Sequence, residues 1–227
     1  MANSPRAMVF DAYGTLYDVH SVASACERRW PGAGAALSQA WRTRQLEYTW
    51  LRSLMRRHAD FEQVTREALR HVSRGLGLGL APADEDALLE EYRRLAPFPD
   101  AAECLAALAP RPLAILSNGS PSMLDPLLRS SGLDRWIGRV LSVEAVRTYK
   151  PAPEVYRLAL DALGLPPGDI GFVSANGWDA GGAKAFGFRV FWINRSGAPA
   201  EELGVAPDHE LTSLGALARL VREMDRS

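Results

Sequence analysis

The chain has 227 residues, 47% of them hydrophobic and 23% charged, with a formal net charge of -1; these are ordinary globular values and exclude wholesale disorder. A near-neutral balance gives no positive field for nucleic acid or an anionic membrane, and no apolar run approaches the roughly 18 residues of a membrane span. Two cysteines, Cys26 and Cys104, make neither a disulfide framework nor a four-ligand zinc site.

The N-terminus runs straight into an apolar segment with no signal-peptide pattern, so a cytoplasmic setting is expected. Ala7-Met8-Val9-Phe10 is a short apolar run ending at Asp11 and followed by Gly14, the pattern of a buried strand that stops at a tight turn. From about His20 to Leu95 the texture is helical. Trp41, Tyr48 and Met55 recur at heptad spacing, while Leu46, Trp50 and Leu54 form a second stripe shared by Arg42; the two stripes predict a helix packed on more than one side. Residues 73–80 read as a break, 84–95 resume the helix, and Pro97-Phe98-Pro99 marks a boundary. Beyond it, strand and helix alternate: helix 101–108, strand 113–116, the turn Ser117-Asn118-Gly119-Ser120-Pro121 opening a helix, strand 137–143, helix 154–163, strand 170–174, helix 179–186 and strand 188–193. This alternation predicts an α/β fold with a Rossmann-like parallel sheet. The first strand joins the later set, giving a core of residues 1–16 and 97–227 and an inserted helical cap over 17–96.

Parallel sheets place their chemistry at the carboxyl ends of the strands, so Asp11, Ser117-Asn118, Lys150 and residues 174–179 are expected to meet at one rim. Asp11 reads either as a turn residue or as a nucleophile forming an ester that water hydrolyses. Ser120 reads as a helix N-cap with Pro121 at the first helical position. Free backbone donors at that turn suit an anion, and capping alone leaves Asn118 without a role. Arg42, on an apolar face, either snorkels to water or reaches down over the strand ends. Of the twenty-six basic residues only Lys150 and Lys184 are lysine; in so arginine-rich a chain a lysine marks a place for a compact three-donor ammonium. Lys150, between a strand and a helix, fits that description, whereas Lys184 reads as a helix-surface charge. Asp179 near a helix start reads as a cap favoured by the dipole. His20, His58, His71 and His209 show no metal spacing and are read as surface or capping residues.

Five segments carry a family pattern in order: Phe10-Asp11-Ala12-Tyr13-Gly14-Thr15-Leu16, the stretch from Trp41 to Trp50, Leu116-Ser117-Asn118-Gly119, Tyr149-Lys150-Pro151 and Ser174-Ala175-Asn176-Gly177-Trp178-Asp179. Together they resemble the type II L-2-haloacid dehalogenases of the haloacid dehalogenase superfamily over nearly the whole chain. The resemblance implies hydrolysis of short (S)-2-haloalkanoates to (R)-2-hydroxy acids and halide through an aspartyl ester, without cofactor or metal, in a homodimer. By the same resemblance Asp11 is the nucleophile, and Arg42, Asn118 and Trp178 receive the halide. Lys150 pairs with Asp11 and the substrate carboxylate, and Ser117 also holds that carboxylate. Asp179 positions the hydrolytic water with Asn176 and Lys150, while Thr15 and Ser174 orient Asp11. Tyr13, Leu46, Phe61 and Trp178 form the apolar wall. Tyr156 matches a position near the site, and core packing is an equal reading for it.

The superfamily's phosphatases carry an Asp where this chain has Tyr13, as acid for the leaving alcohol, and a metal-binding Asp where it has Ala175. Mg²⁺ needs carboxylate oxygens and an alkoxide needs a proton donor, whereas a halide leaves without either. The alternatives are a Mg-dependent phosphatase of the superfamily and a non-catalytic homologue that binds a small acid.

Overall fold

The computed structural model describes residues 4–226. Six strands, β1 (Ala7–Phe10), β2 (Leu113–Ser117), β3 (Arg139–Ser142), β4 (Ile170–Ser174), β5 (Arg189–Ile193) and β6 (His209–Leu211), form one parallel sheet in the order β3-β2-β1-β4-β5-β6. β1, β2 and β4 are buried along their whole length, as expected of parallel strands covered on both faces. The chain steps outward from β1 to β2 and β3, then returns to the other side of β1 as β4, so β1 and β4 flank the switch in strand order. Phe10 at the end of β1 lies opposite both Ile115 and Val173, and the Asp11 N–H donates to Val173 O at 2.9 Å.

Between β1 and β2 come α1 (Ser21–Arg29), α2 (Gly34–Leu54), α3 (Phe61–Gly75) and α4 (Pro82–Tyr92), followed by α5 (Ala101–Leu108). The first four pack on one another, α2 between α1 and α3, with α4 touching α1 and α3. The chain leaves and rejoins the sheet layer at adjacent points, where Phe98 N–H donates to Leu16 O at 2.8 Å and Asp18 N–H to Ala96 O at 2.9 Å. The remaining helices are α6 (Pro121–Ser131), α7 (Pro153–Leu163), α8 (Gly177–Phe186) and α9 (Leu214–Met224). Among the described residues no helix is long and apolar enough to cross a membrane.

Several details differ from the sequence reading. The strand expected over 137–143 is confined to 139–142, because it is a sheet edge whose first residues are exposed. α3 runs on to Gly75 inside the expected break, and α4 starts at Pro82 and ends at Tyr92. β6 and α9 are additions to the expected elements. On α2 the buried face is Leu37, Trp41, Gln45 and Thr49; Leu54 and Met55, which end the two apolar stripes, are 82% and 60% exposed because the last turn overruns its neighbours. Ser120 occupies the N-cap of α6, but its side chain makes no cap bond and pairs instead with Ser122 Oγ at 3.0 Å. His58 is not a surface residue: its ring is buried against Tyr149, and Nε2 pairs with Glu144 Oε2 at 2.9 Å. His209 stacks on Phe191 within the sheet, so it is not a cap either.

Candidate active site

The strand ends deliver a buried charge cluster. Asp11 follows β1, Lys150 precedes α7 and Asp179 lies in the first turn of α8; each is buried, Lys150 and Asp179 completely. Lys150 Nζ donates to Asp11 Oδ1 at 3.0 Å and to Asp179 Oδ2 at 2.9 Å. Tyr156 OH donates to Asp179 Oδ1 at 2.8 Å. Asp179 is therefore tied to side chains and does not serve as the helix cap the sequence also allowed. Asp11 Oδ2 accepts from Thr15 Oγ1 at 3.0 Å and from Asn176 Nδ2 at 2.9 Å. Three donors, from Lys150, Thr15 and Asn176, thus fix the Asp11 carboxylate.

Each of those donors is held in turn. Thr15 Oγ1 accepts from Ala175 N–H at 2.8 Å, and Asn176 Nδ2 also donates to Tyr13 O at 3.1 Å. Ser174 Oγ accepts from Asn176 N–H at 3.2 Å, so Ser174 shapes the turn that carries Asn176, itself a donor to Asp11. Ser117 Oγ accepts from Gly119 N–H at 3.0 Å, and Asn118 Oδ1 from Lys150 N–H at 3.1 Å. Through the second bond Asn118 pins the Lys150 backbone and keeps its amide NH₂ as a donor.

Burial works against the Lys150 charge, yet Asp11 and Asp179 outweigh it and hold its pKa above the ordinary lysine value. Burial raises the Asp179 pKa; Lys150 opposes the rise and Asp11 adds to it, and the net direction is upward. Burial, with Asp179 close by, keeps the Tyr156 phenol protonated well beyond its ordinary range.

The helices between β1 and β2 supply apolar surface and one cation without a carboxylate partner among the described residues. Tyr13 packs on Phe61 and Tyr92 with ring centroids at 5.6 and 6.1 Å, and Trp178 meets Trp50 of α2 edge-on at 5.5 Å. Leu46 is half-buried on the same helix. Arg42 is half-buried, and among the described residues no carboxylate lies within ion-pair distance of it. Its Nη1 donates to Gln45 Oε1 at 2.7 Å, Gln45 Nε2 donates to Thr65 Oγ1 at 2.6 Å, and Thr65 Oγ1 donates to Phe61 O at 2.6 Å. Arg42 also lines a cavity of about 440 Å³ with His20, Ser38, Gln39, Thr43 and Tyr92.

Gln45, Thr65, Tyr92 and Arg195 escaped the sequence reading. The first two are buried polar residues inside a helical pattern. Arg195 donates to Thr15 O at 3.3 Å while lying over the Phe98 ring, and only its place after β5 could have drawn notice to it.

A family model described as haloacid dehalogenase-like hydrolase matches residues 5–187. The (S)-2-haloacid dehalogenase of Pseudomonas sp. (strain YL) is 49% identical over 95% of this chain and 94% of its own length. Haloacetate dehalogenase H-2 of Moraxella sp. (strain B) is 45% identical over 95% and 97%. The solved structure of L-2-haloacid dehalogenase from Xanthobacter autotrophicus with chloropropionic acid covalently bound superposes with a TM-score of 0.91 at 47% identity, covering 97% of this chain and 99% of the other.

Proposed function

The chain belongs to the haloacid dehalogenase-like hydrolases, and from that membership we propose that it hydrolyses short (S)-2-haloalkanoates to (R)-2-hydroxy acids and halide. The observation that carries this reading is the Asp11 carboxylate, buried and oriented by Lys150, Thr15 and Asn176 beside an apolar wall.

Asp11 attacks C2 of the substrate from the side opposite the halogen. The new bond joins its carboxylate oxygen to carbon, and the carbon–halogen pair departs with the halide. Lys150, Ser117 and nearby backbone donors hold the substrate carboxylate. The halide leaves toward Arg42, the Asn118 amide and Trp178, where a fixed positive charge meets negative charge as it develops. Water, positioned by Asp179 and Asn176, then attacks the acyl carbon of the Asp11 ester. Asp179 takes one proton from the water and gives it to the departing alkoxide oxygen, so the hydroxy acid leaves with the configuration inverted in the first step, and the remaining proton is lost as the Asp11 carboxylate re-forms. Thr15, Ser174 and Tyr156 keep the acids and the ammonium in register, while Tyr13, Leu46 and Phe61 exclude water from the alkyl group.

The donor set does not suit Mg²⁺. An ammonium stands between Asp11 and Asp179, and the methyl of Ala175 offers no oxygen where a metal carboxylate would be needed. Residues 17–96 act as a cap over a core of 1–16 and 97–227, a division supported by the paired crossings at Leu16–Phe98 and Asp18–Ala96. Leu51, Leu54 and Met55 at the exposed end of α2 support a homodimer, which light scattering of the purified protein checks.

The test of the mechanism is a single turnover in H₂¹⁸O. The first product is expected to be unlabelled while Asp11 gains the heavy atom. Label in the first product would mean direct attack by water and would refute the ester.

A further inference from the structure

Tyr13 carries a hydroxyl that the protein leaves without a partner. The residue follows Asp11 by two positions, and its ring is wedged between the cap and the turn after β2. Phe61 and Tyr92 meet it from the cap. From the other side a Cβ placed on Gly119 would come within 2.8 Å of Tyr13 Cε2, so the ring rests on the backbone of the Asn118-Gly119 turn. The residue is 2% exposed, and its Oη has no hydrogen-bond partner. Three other buried tyrosines have partners: Tyr17 pairs with Ser131 Oγ, Tyr149 donates to Ala59 O and Tyr156 to Asp179.

An unpaired buried hydroxyl carries the desolvation penalty of a polar group with nothing in return. A phenylalanine would keep the ring contacts and avoid that penalty. Arg42 and Asp11 both act electrostatically on this phenol, the first favouring its ionisation and the second opposing it, while burial raises its pKa far beyond the ordinary range. The group is therefore a neutral O–H with one proton to give and no protein acceptor, two residues along the chain from the nucleophile and packed on the turn that carries Asn118. A preset donor in that position selects an anion that is absent from the resting protein.

We propose that the Tyr13 hydroxyl donates a hydrogen bond to the departing halide, sharing it with Arg42 and Asn118. The proposal rests on the dehalogenase reading above. No proton is transferred: the phenol stays neutral and stabilises the charge that accumulates as the carbon–halogen bond breaks.

The test is Tyr13→Phe, read as kcat/KM on (S)-2-chloro-, (S)-2-bromo- and (S)-2-iodopropionate, which reports events up to halide departure. Loss of one hydrogen bond to a charged group predicts a decrease of roughly ten- to a hundredfold. The decrease is expected to be largest for chloride and smallest for iodide, following acceptor strength, and chloride is expected to inhibit the variant less than the wild type. The Tm is expected to stay level or rise. An equal loss on all three substrates would assign the hydroxyl to the substrate carboxylate and overturn the proposal. Wild-type activity, or a loss accompanied by a lowered Tm, would overturn it as well. As a second variant that keeps the shape, 3-fluorotyrosine at position 13 strengthens the donor and is expected to tighten chloride inhibition; unchanged inhibition counts against the proposal. If the wild type releases no halide from any of these acids, the dehalogenase reading itself fails, a result separate from every outcome of the variants.

Discussion

The Lys150 ammonium lies 2.9 Å from Asp179 Oδ2, and neither side chain has any exposure to solvent. Replacing Lys150 by Met leaves Asp11 and Asp179 buried without their shared cation. Breaking a buried ion pair from one side costs about 3–5 kcal/mol, so Lys150→Met is expected to lower stability by that order and to abolish halide release. Urea unfolding and a halide-release assay check the two effects. Lys150→Arg is not expected to rescue activity, because a planar fork does not reproduce the compact ammonium that reaches Asp11 and Asp179 together from a fully buried position.

The raised Asp179 pKa sets a direction for pH dependence. Its carboxyl keeps a proton at pH values where an ordinary aspartate, near 3.8, is already ionised. Ester hydrolysis needs the carboxylate form, so its rate is expected to rise with pH through that elevated value and to fall in acid. The esterified protein is then expected to accumulate at low pH, visible as a mass increase of the intact chain. Asp179→Asn should accumulate the ester at every pH.

Gln45 gives Arg42 its only hydrogen bond found among the described residues. Gln45→Leu frees the guanidinium and is expected to weaken chloride inhibition and kcat/KM by roughly tenfold, the value of a hydrogen bond to a charged group. Gln45→Glu is expected to cost more, because the new carboxylate neutralises the cation. The reverse order of the two variants would show that Arg42 acts through shape and not through charge.

Gly119 has no room for a methyl group: a Cβ there would lie 2.8 Å from Tyr13 and 3.0 Å from Leu124. Overpacking of this kind costs about 1–3 kcal/mol. Gly119→Ala is expected to lower Tm and to reduce halide release by displacing the Tyr13 ring. Gly75→Ala, with nothing within 4 Å of the added carbon, is the control expected to leave activity unchanged.

The parts of the fold legible in the sequence are those where burial and polarity change abruptly. β1, β2 and β4 read clearly because fully buried parallel strands are continuous apolar runs, each ending on or just before a polar residue that the fold then uses. β6 does not, since His209-Glu210-Leu211 is a three-residue edge with no apolar run. α9 carries Leu214, Leu217, Ala218 and Val221 on one buried face, a helical spacing present in the sequence but attached to no chemical signal. On α2 apolar periodicity chose a face one residue off: Gln45 and Thr49 are buried because hydrogen bonds satisfy them, which counting apolar positions does not register. Asp11, Thr15, Lys150, Asn176 and Asp179 converge as strand-end residues should. The Arg42–Gln45–Thr65 chain depends on how α2 lies against α3, which neither helix's own sequence specifies.

Tyr149, the residue before Lys150, gives its N–H to Ser53 Oγ at 3.1 Å and its hydroxyl to Ala59 O at 2.6 Å. The segment that leads into Lys150 is thereby stitched to the last turn of α2 and to the stretch linking α2 and α3. Slackening that stretch, even at a surface position, disturbs the register of the ionic triad, so damage to turnover can originate in residues that never meet the haloacid.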